Sequence, residues 1–159
     1  SIHVQTVAAI RQLVPTVAEM DFYCKTLYEE LYAILKKHHI KPLEPEVMLY
    51  HTDEYREFDL DVEAAIPVAD KYLDTASADN IYKIHQLPAA DQTAALIYEG
   101  SMDQVGVAVL ALFQWIGIHN HVIDGPMREV RLSGPAHQVR ASGEPPIIEL
   151  QVPIKQAVL

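Results

Sequence analysis

The sequence predicts an α+β fold in which a unit of strand, helix, strand and strand occurs twice around a pseudo-twofold axis. Two observations predict it: similar segments recur in the same order in both halves, and each half contains one helical stripe of apolar residues. Two helices are expected to pack on one face of a mainly antiparallel sheet. The chain has 159 residues, 50% of them hydrophobic and 21% charged, which is typical of one folded domain. We therefore expect a single domain over 1–159, with repeat one at 3–69, a connector at 70–80 and repeat two at 81–155.

Each half is predicted to begin with a strand that leads into a helix. The segment from Gln5 to Ile10 is similar to the segment from Gln92 to Ile97. Apolar residues then recur every three or four positions, as on one face of a helix. These stripes are Met20, Cys24, Leu27, Leu31 and Ile34 in the first half, and Met102, Val105, Val109, Leu112 and Ile116 in the second. Capping boxes at Thr16-x-x-Glu19 and Ser101-x-x-Gln104 predict where the two helices begin.

Two strands are predicted to follow each helix. Prolines at equivalent positions, Pro45 and Pro126, mark the turn after each helix. The strands that follow are Val47 to His51 with Val62 to Val68, and Arg128 to Leu132 with Ile148 to Ile154. One more strand is expected from Ile81 to Leu87, and a long loop from Gly134 to Pro146.

Composition limits the possible partners. Twelve basic residues against 22 acidic ones leave a net charge of −10, and the longest basic run is Lys36-Lys37. Direct contact with nucleic acid by this segment is therefore not expected, and a DNA-binding domain would have to be fused to it. The longest apolar segment, Val105 to Ile118, is shorter than the roughly 20 residues that cross a bilayer, so no membrane partner is expected. Cys24 is the only cysteine, which excludes an intrachain disulfide and favours a cytoplasmic location.

Motifs of known catalytic or metal sites are missing from the sequence. It contains no glycine-rich phosphate loop, no H-E-x-x-H and no G-x-S-x-G. Cys24 is predicted to be a small core residue, since it lies on an apolar stripe. The pairs His38-His39 and His119/His121 are expected at helix ends, where imidazolium complements the helix dipole. No catalytic residue, metal or cofactor is therefore predicted.

Strand alternation indicates a candidate binding groove. In the strand after the second helix, Val130 and Leu132 are expected to face the helices, with Glu129 and Arg131 on the opposite face. The repeat makes Met48 and Tyr50 their equivalents, so these four residues would line a groove between the halves. An aromatic ring, a thioether and a carboxylate suit a flat, hydrophobic or cationic small molecule. The alternative is a wet face on which Glu129 and Arg131 form a surface ion pair.

Other aromatic residues are candidates for the rim of this groove. They are Tyr98, Phe58, Tyr55 and Tyr82, each of which has a packing or surface role as its alternative. Trp115 lies beside the second helical stripe and is expected in the core.

Three segments together resemble the gyrase-inhibitor-like family, which includes effector-binding domains of MerR- and AraC-type bacterial transcription regulators. They are WIGIHNHVIDGPMREVRLSGP at 115–135, IIELQVPI at 147–154 and DLDVEAAIPV at 59–68. The motif G-P-x-x-E-V-x-L and a final strand ending in V-P-I carry the resemblance, which covers residues 4–154. It implies a ligand groove between two repeats, with Glu129 contacting or neutralising a lipophilic cation. The chain departs from the family at Arg131, where tyrosine is frequent, and at Pro145-Pro146, where an aromatic residue is frequent.

The sequence thus predicts a small-molecule sensor module, either alone or within a transcription regulator. Some relatives resemble hydrolases of electrophilic compounds, and that alternative would need Glu129 or Tyr98 to activate water. Other relatives bind gyrase. A haem-binding relative would need a histidine ligand such as His85 or His3.

Overall fold

The computed structural model describes residues 1–51, 56–75, 81–135 and 143–158. The elements of these ranges are, in chain order, β1 Gln5–Thr16, α1 Met20–Lys37, β2 Val47–Tyr50, β3 Phe58–Pro67, β4 Lys83–Leu87, β5 Thr93–Glu99, α2 Val105–Ile118, β6 His121–Ile123, β7 Met127–Arg131 and β8 Ile147–Gln156. Single 3-10 turns at Val17–Glu19, Asp70–Tyr72 and Met102–Gln104 complete them. The predicted α+β fold is confirmed.

The sheet arranges the two repeats symmetrically. Its strand order is β4-β1-β3-β2-β7-β8-β5, with β6 paired to β8, and each of these pairings is antiparallel. Repeat one supplies β1, β3 and β2, while repeat two supplies β5, β8 and β7 in mirrored order. The repeats meet where β2 pairs with β7, and Met48 there lies opposite Glu129. Because these two residues are also equivalent by sequence, the pseudo-twofold axis passes between them.

The strand register corrects one detail of the predicted repeat. Ala8 pairs with Ile66, and Ala94 pairs with Val152. Since Ile66 and Val152 are equivalent in the closing strands, Ala8 corresponds to Ala94, one residue away from the predicted match. Side chains alternate between sheet faces, so a slip of one residue would have placed this strand's core residues on the wrong face.

Both helices cover the same face of the sheet, each over its own half. Beneath α1, the buried Leu27, Leu31 and Leu35 pack against β1 and β3. Beneath α2, Val109, Leu112 and Ile116 pack against β5 and β8. Tyr50 contacts both clusters. Two separate cores, each under one helix, leave room between the helices above the β2–β7 junction.

The helix ends confirm the duplication but not the predicted capping boxes. His39 (φ 55°) and Asn120 (φ 58°) follow α1 and α2 at equivalent positions, and both have left-handed backbones. At the other ends, neither Thr16 nor Ser101 caps a backbone amide with its side chain. Each precedes a 3-10 turn, and the Thr16 hydroxyl donates to Glu19 Oε2 at 2.9 Å instead.

The exposed side of α2 is apolar. Val107, Leu110 and Ile118 are exposed there, and so is Trp115 at 45%. Trp115 stacks on His119 with ring centroids 4.1 Å apart, so the predicted core position of Trp115 is wrong. Among the described residues, no helix is both long and apolar enough to cross a membrane.

The other face of the sheet has its own small core. Val7, Ala9, Val47, Leu49 and Val130 are among its buried residues.

Glu63 is buried on this face between two histidines. Its Oε1 lies 2.7 Å from His51 Nε2, and its Oε2 lies 2.6 Å from His85 Nε2.

Candidate functional site

A cavity of about 570 Å³ opens between α1 and α2 above the β2–β7 junction. Its floor includes Met48, Tyr50, Glu129 and Arg131, so the structure brings together four of the six predicted site residues. The predicted face was reversed, however. Val130 belongs to the core on the opposite side of the sheet, and the Glu129 side of β7 faces the helices. Alternation along a strand separates two faces but does not say which one a helix covers.

The pseudo-twofold axis gives the floor two different halves. Met48 and Glu129 are equivalent residues facing each other across the axis, and Tyr50 and Arg131 are the next equivalent pair outward on the same face. Repeat one therefore contributes a thioether and a phenol. Repeat two contributes a carboxylate and a guanidinium at the same two positions.

Glu129 is the acid on this floor. The Tyr50 hydroxyl donates a hydrogen bond to Glu129 Oε2 at 3.0 Å. Burial raises the pKa of Glu129, while the Tyr50 hydrogen bond and the Arg131 charge oppose that rise. Burial, with the Glu129 charge next, raises the pKa of Tyr50 well above 10, which keeps the phenol protonated as a donor. Glu129 is thus a desolvated acceptor whose negative charge a bound donor or cation would stabilise.

Arg131 lies beside Glu129 without pairing to it. Its backbone amide donates to the Glu46 carbonyl at 3.0 Å, which fixes the strand end. Its side-chain Nε is buried and has no hydrogen-bond partner among the described residues. The ion pairs of the described residues do not include one between Glu129 and Arg131, so the predicted surface ion pair is not formed.

The cavity walls come from both helices and the 3-10 turns before them, and none of these residues was among the predicted site residues. Cys24 and Met20 belong to the predicted core stripe of α1, yet both line the cavity, as do Tyr28, Phe113 and Met102. The stripe alone does not separate core positions from cavity-wall positions, because both carry apolar side chains. Burial, with the Glu129 and Asp21 charges next, raises the pKa of Cys24 to about 12. The thiol therefore stays protonated and is a poor nucleophile.

Two predicted site residues lie outside the cavity lining. Phe58, at the start of β3, is 63% exposed. Tyr98 is partly buried and packs against the core under α2, and its hydroxyl donates to the Ser101 carbonyl at 2.7 Å. Of the other rim candidates, Tyr82 is buried in the core under α1, and Tyr55 lies outside the described residues.

The histidines proposed for haem are not at this cavity. His85 holds Glu63 on the opposite face of the sheet. His3 lines a second, smaller cavity of about 260 Å³ near the N-terminus. Within the described ranges, no group of three or more His, Cys, Asp and Glu residues is arranged to hold a metal ion.

Several solved structures have a fold similar to that of this chain. The crystal structure of the EcmrR C-terminal domain has a TM-score of 0.80 and 22% identity, over 98% of this chain and 94% of that one. The cryo-EM structure of an EcmrR–DNA complex has the same score and identity over 98% of this chain, which spans 56% of that one. A hydrolase encoded by lin2189 from Listeria innocua is more distant, with a TM-score of 0.56 and 10% identity over 97% of this chain and 89% of that one.

These likenesses bear on the fold. No protein-family model matches the chain, and no curated protein matches it in sequence. The chain has the fold of the EcmrR C-terminal domain, which supports the predicted gyrase-inhibitor-like fold.

Proposed function

We propose that this chain is the effector-binding domain of a MerR-type transcription regulator, and that its effector is a flat, lipophilic small molecule. The observation that carries the proposal is the cavity on the pseudo-twofold axis, with Glu129 on its floor and an otherwise mainly apolar lining. The fold likeness to EcmrR, whose structure with DNA is known, supports the regulatory role. With a net charge of −10, this segment would leave DNA contact to another domain.

The lining fits such an effector in size and chemistry. Ligand cavities for drug-sized molecules are about 300–1,000 Å³, and the volume here lies within that range. Aromatic and thioether side chains, such as Tyr28, Phe113 and Met48, adapt to flat hydrophobic molecules. Glu129 would orient the ligand by accepting a hydrogen bond from it or by facing its positive charge.

Regulation would follow from the position of the cavity between two helices. The α1 and α2 cores are separate, and the repeats share the β2–β7 junction below the ligand. A ligand that contacts both helices favours the arrangement of the two repeats to which it binds more tightly. It can shift that equilibrium by no more than its preference between the two states.

The hydrolase and haem-binding alternatives gain no comparable support. The likeness to the Listeria hydrolase is at 10% identity and concerns the fold. Of the two residues named as alternatives for activating water, Tyr98 lies outside the cavity lining and Glu129 lies on its floor. The histidines considered for haem lie elsewhere, as described above.

Binding of a lipophilic cationic dye tests the proposal. We expect Glu129→Gln to weaken dye binding about fivefold, because a charge-assisted hydrogen bond is worth roughly 1 kcal/mol more than a neutral one. Fluorescence anisotropy would measure both affinities, with far-UV circular dichroism as a check on folding. Glu30→Gln, on the exposed side of α1, is the matched control and should bind like the wild type. Equal affinity of the wild type and Glu129→Gln would remove the carboxylate from the binding site.

A further inference from the structure

We propose that Arg131 makes this cavity selective for zwitterionic aromatic ligands, with a ligand carboxylate held by Arg131 and a donor or cationic group placed over Glu129. This inference rests on the proposed function, because it assigns the ligand class of the same cavity.

The first observation is the environment of the guanidinium. Arg131 lines the cavity, and its Nε is buried without a hydrogen-bond partner among the described residues. A buried polar atom that lacks a partner is costly unless something in the site compensates it. A carboxylate is the group that matches a guanidinium in both charge and geometry.

The neighbouring carboxylates do not serve this purpose. Glu129 Oε2 accepts the Tyr50 hydroxyl, and Glu46 Oε1 accepts the Tyr32 hydroxyl at 2.7 Å. The ion pairs of the described residues include none between Glu129 and Arg131. Glu129 and Arg131 are two residues apart on one strand, so their backbones are about 7 Å apart. A ligand with separated charges can therefore meet both side chains at once.

The rest of the lining is balanced in charge. Its exposed members include two acids, Asp21 and Asp103, and two bases, Lys25 and Arg56. The first turns of both helices also contribute residues to the cavity lining. The chain carries a net charge of −10, yet its cavity offers no excess of acids to a purely cationic ligand.

Two forms of one dye separate this inference from the proposed function. A rhodamine with a free benzoate is a zwitterion at neutral pH, whereas its ethyl ester is a cation of nearly the same shape. We expect the wild type to bind the free acid about tenfold more tightly than the ester, given the strength of charge-assisted hydrogen bonds. Arg131→Met should reduce that preference to within about twofold, and Arg131→Lys should retain part of it, because the charge alone is worth less than a planar fork. Arg11→Met is the control, since Arg11 pairs with Asp61 on the exposed sheet surface and should leave the preference unchanged.

The outcomes are distinguishable. Preference for the acid in the wild type and its loss in Arg131→Met would support the inference. Binding of the ester as tight as or tighter than the acid would overturn it and leave the proposed effector-binding function in place. A preference that survives in Arg131→Met, with the variant folded by circular dichroism, would also overturn it. Failure of the wild type to bind either dye would overturn both proposals.

Discussion

Replacing Glu63 with glutamine should remove a pH-dependent part of the stability. Burial raises the pKa of Glu63, but the hydrogen bonds with His51 and His85 outweigh burial and hold it at about 2, below its ordinary 4.5. At about 1.4 kcal/mol per pH unit, that difference corresponds to about 3 kcal/mol of folding free energy. Because the folded pKa is depressed, this contribution is fully present above about pH 4.5 and is lost as the pH falls toward about 2.

The histidine side of the cluster sets the upper limit of the pH window. The hydrogen bond with Glu63 raises the pKa of His85 above 6.5, although burial opposes the rise. Because the folded pKa is raised, protonated His85 contributes stability that is fully present below the unfolded pKa of 6.5. This contribution is lost as the pH rises through the pKa of the folded state. The advantage of the wild type over Glu63→Gln is therefore expected to be largest between about pH 4.5 and 6.5.

Urea unfolding of the two proteins across this pH range would measure that advantage. Asp61→Asn on the same strand is the control, because its exposed ion pair with Arg11 should contribute less than about 1 kcal/mol. A free-energy difference between wild type and Glu63→Gln that stays constant from pH 2.5 to 6 would refute the reasoning.

Three further predictions follow from the core and the cavity. Leu31→Ala should destabilise the protein by about 2–5 kcal/mol in urea unfolding, since Leu31 is fully buried, whereas Phe22→Ala, at a 70% exposed position, should change stability by less than about 1 kcal/mol; equal losses would contradict the assigned helix face. Tyr50→Phe removes a hydrogen bond that lowers the pKa of Glu129, so a ¹³C carboxyl titration should show that pKa rising, and a fall would contradict the geometry. Tyr98→Phe should leave dye affinity unchanged, because Tyr98 does not line the cavity; a several-fold loss of affinity would place it there.

The repeat and its helices were predictable because long segments of the sequence show periodic apolar residues. The stripes around Leu31 and Leu112, and the equivalent prolines after each helix, identified the unit and its duplication. The three-residue strand β6 escaped prediction because so short a segment carries no periodicity. Trp115 was misplaced because α2 is apolar on nearly every side, so that its buried and exposed faces look alike in sequence.

The candidate site was predictable where the repeat relation constrained it. Equivalence brought Met48, Tyr50, Glu129 and Arg131 together, since a pseudo-twofold axis places matching strands side by side. Tyr98 and Phe58 are aromatic residues near strand ends, and nothing in that pattern distinguishes packing from ligand contact. The helix residues of the wall depend on how far apart two helices sit, which no local pattern encodes.

Because two copies of the unit lie in one chain, equivalent positions at the centre of the molecule can hold different residues. A symmetric dimer of a single unit would set glutamate against glutamate across the axis, and two like charges at that spacing repel each other strongly. Here Met48 occupies the position related to Glu129 by the pseudo-twofold axis. The two sides of the β2–β7 junction therefore differ in charge, and an unsymmetrical ligand would have one preferred orientation.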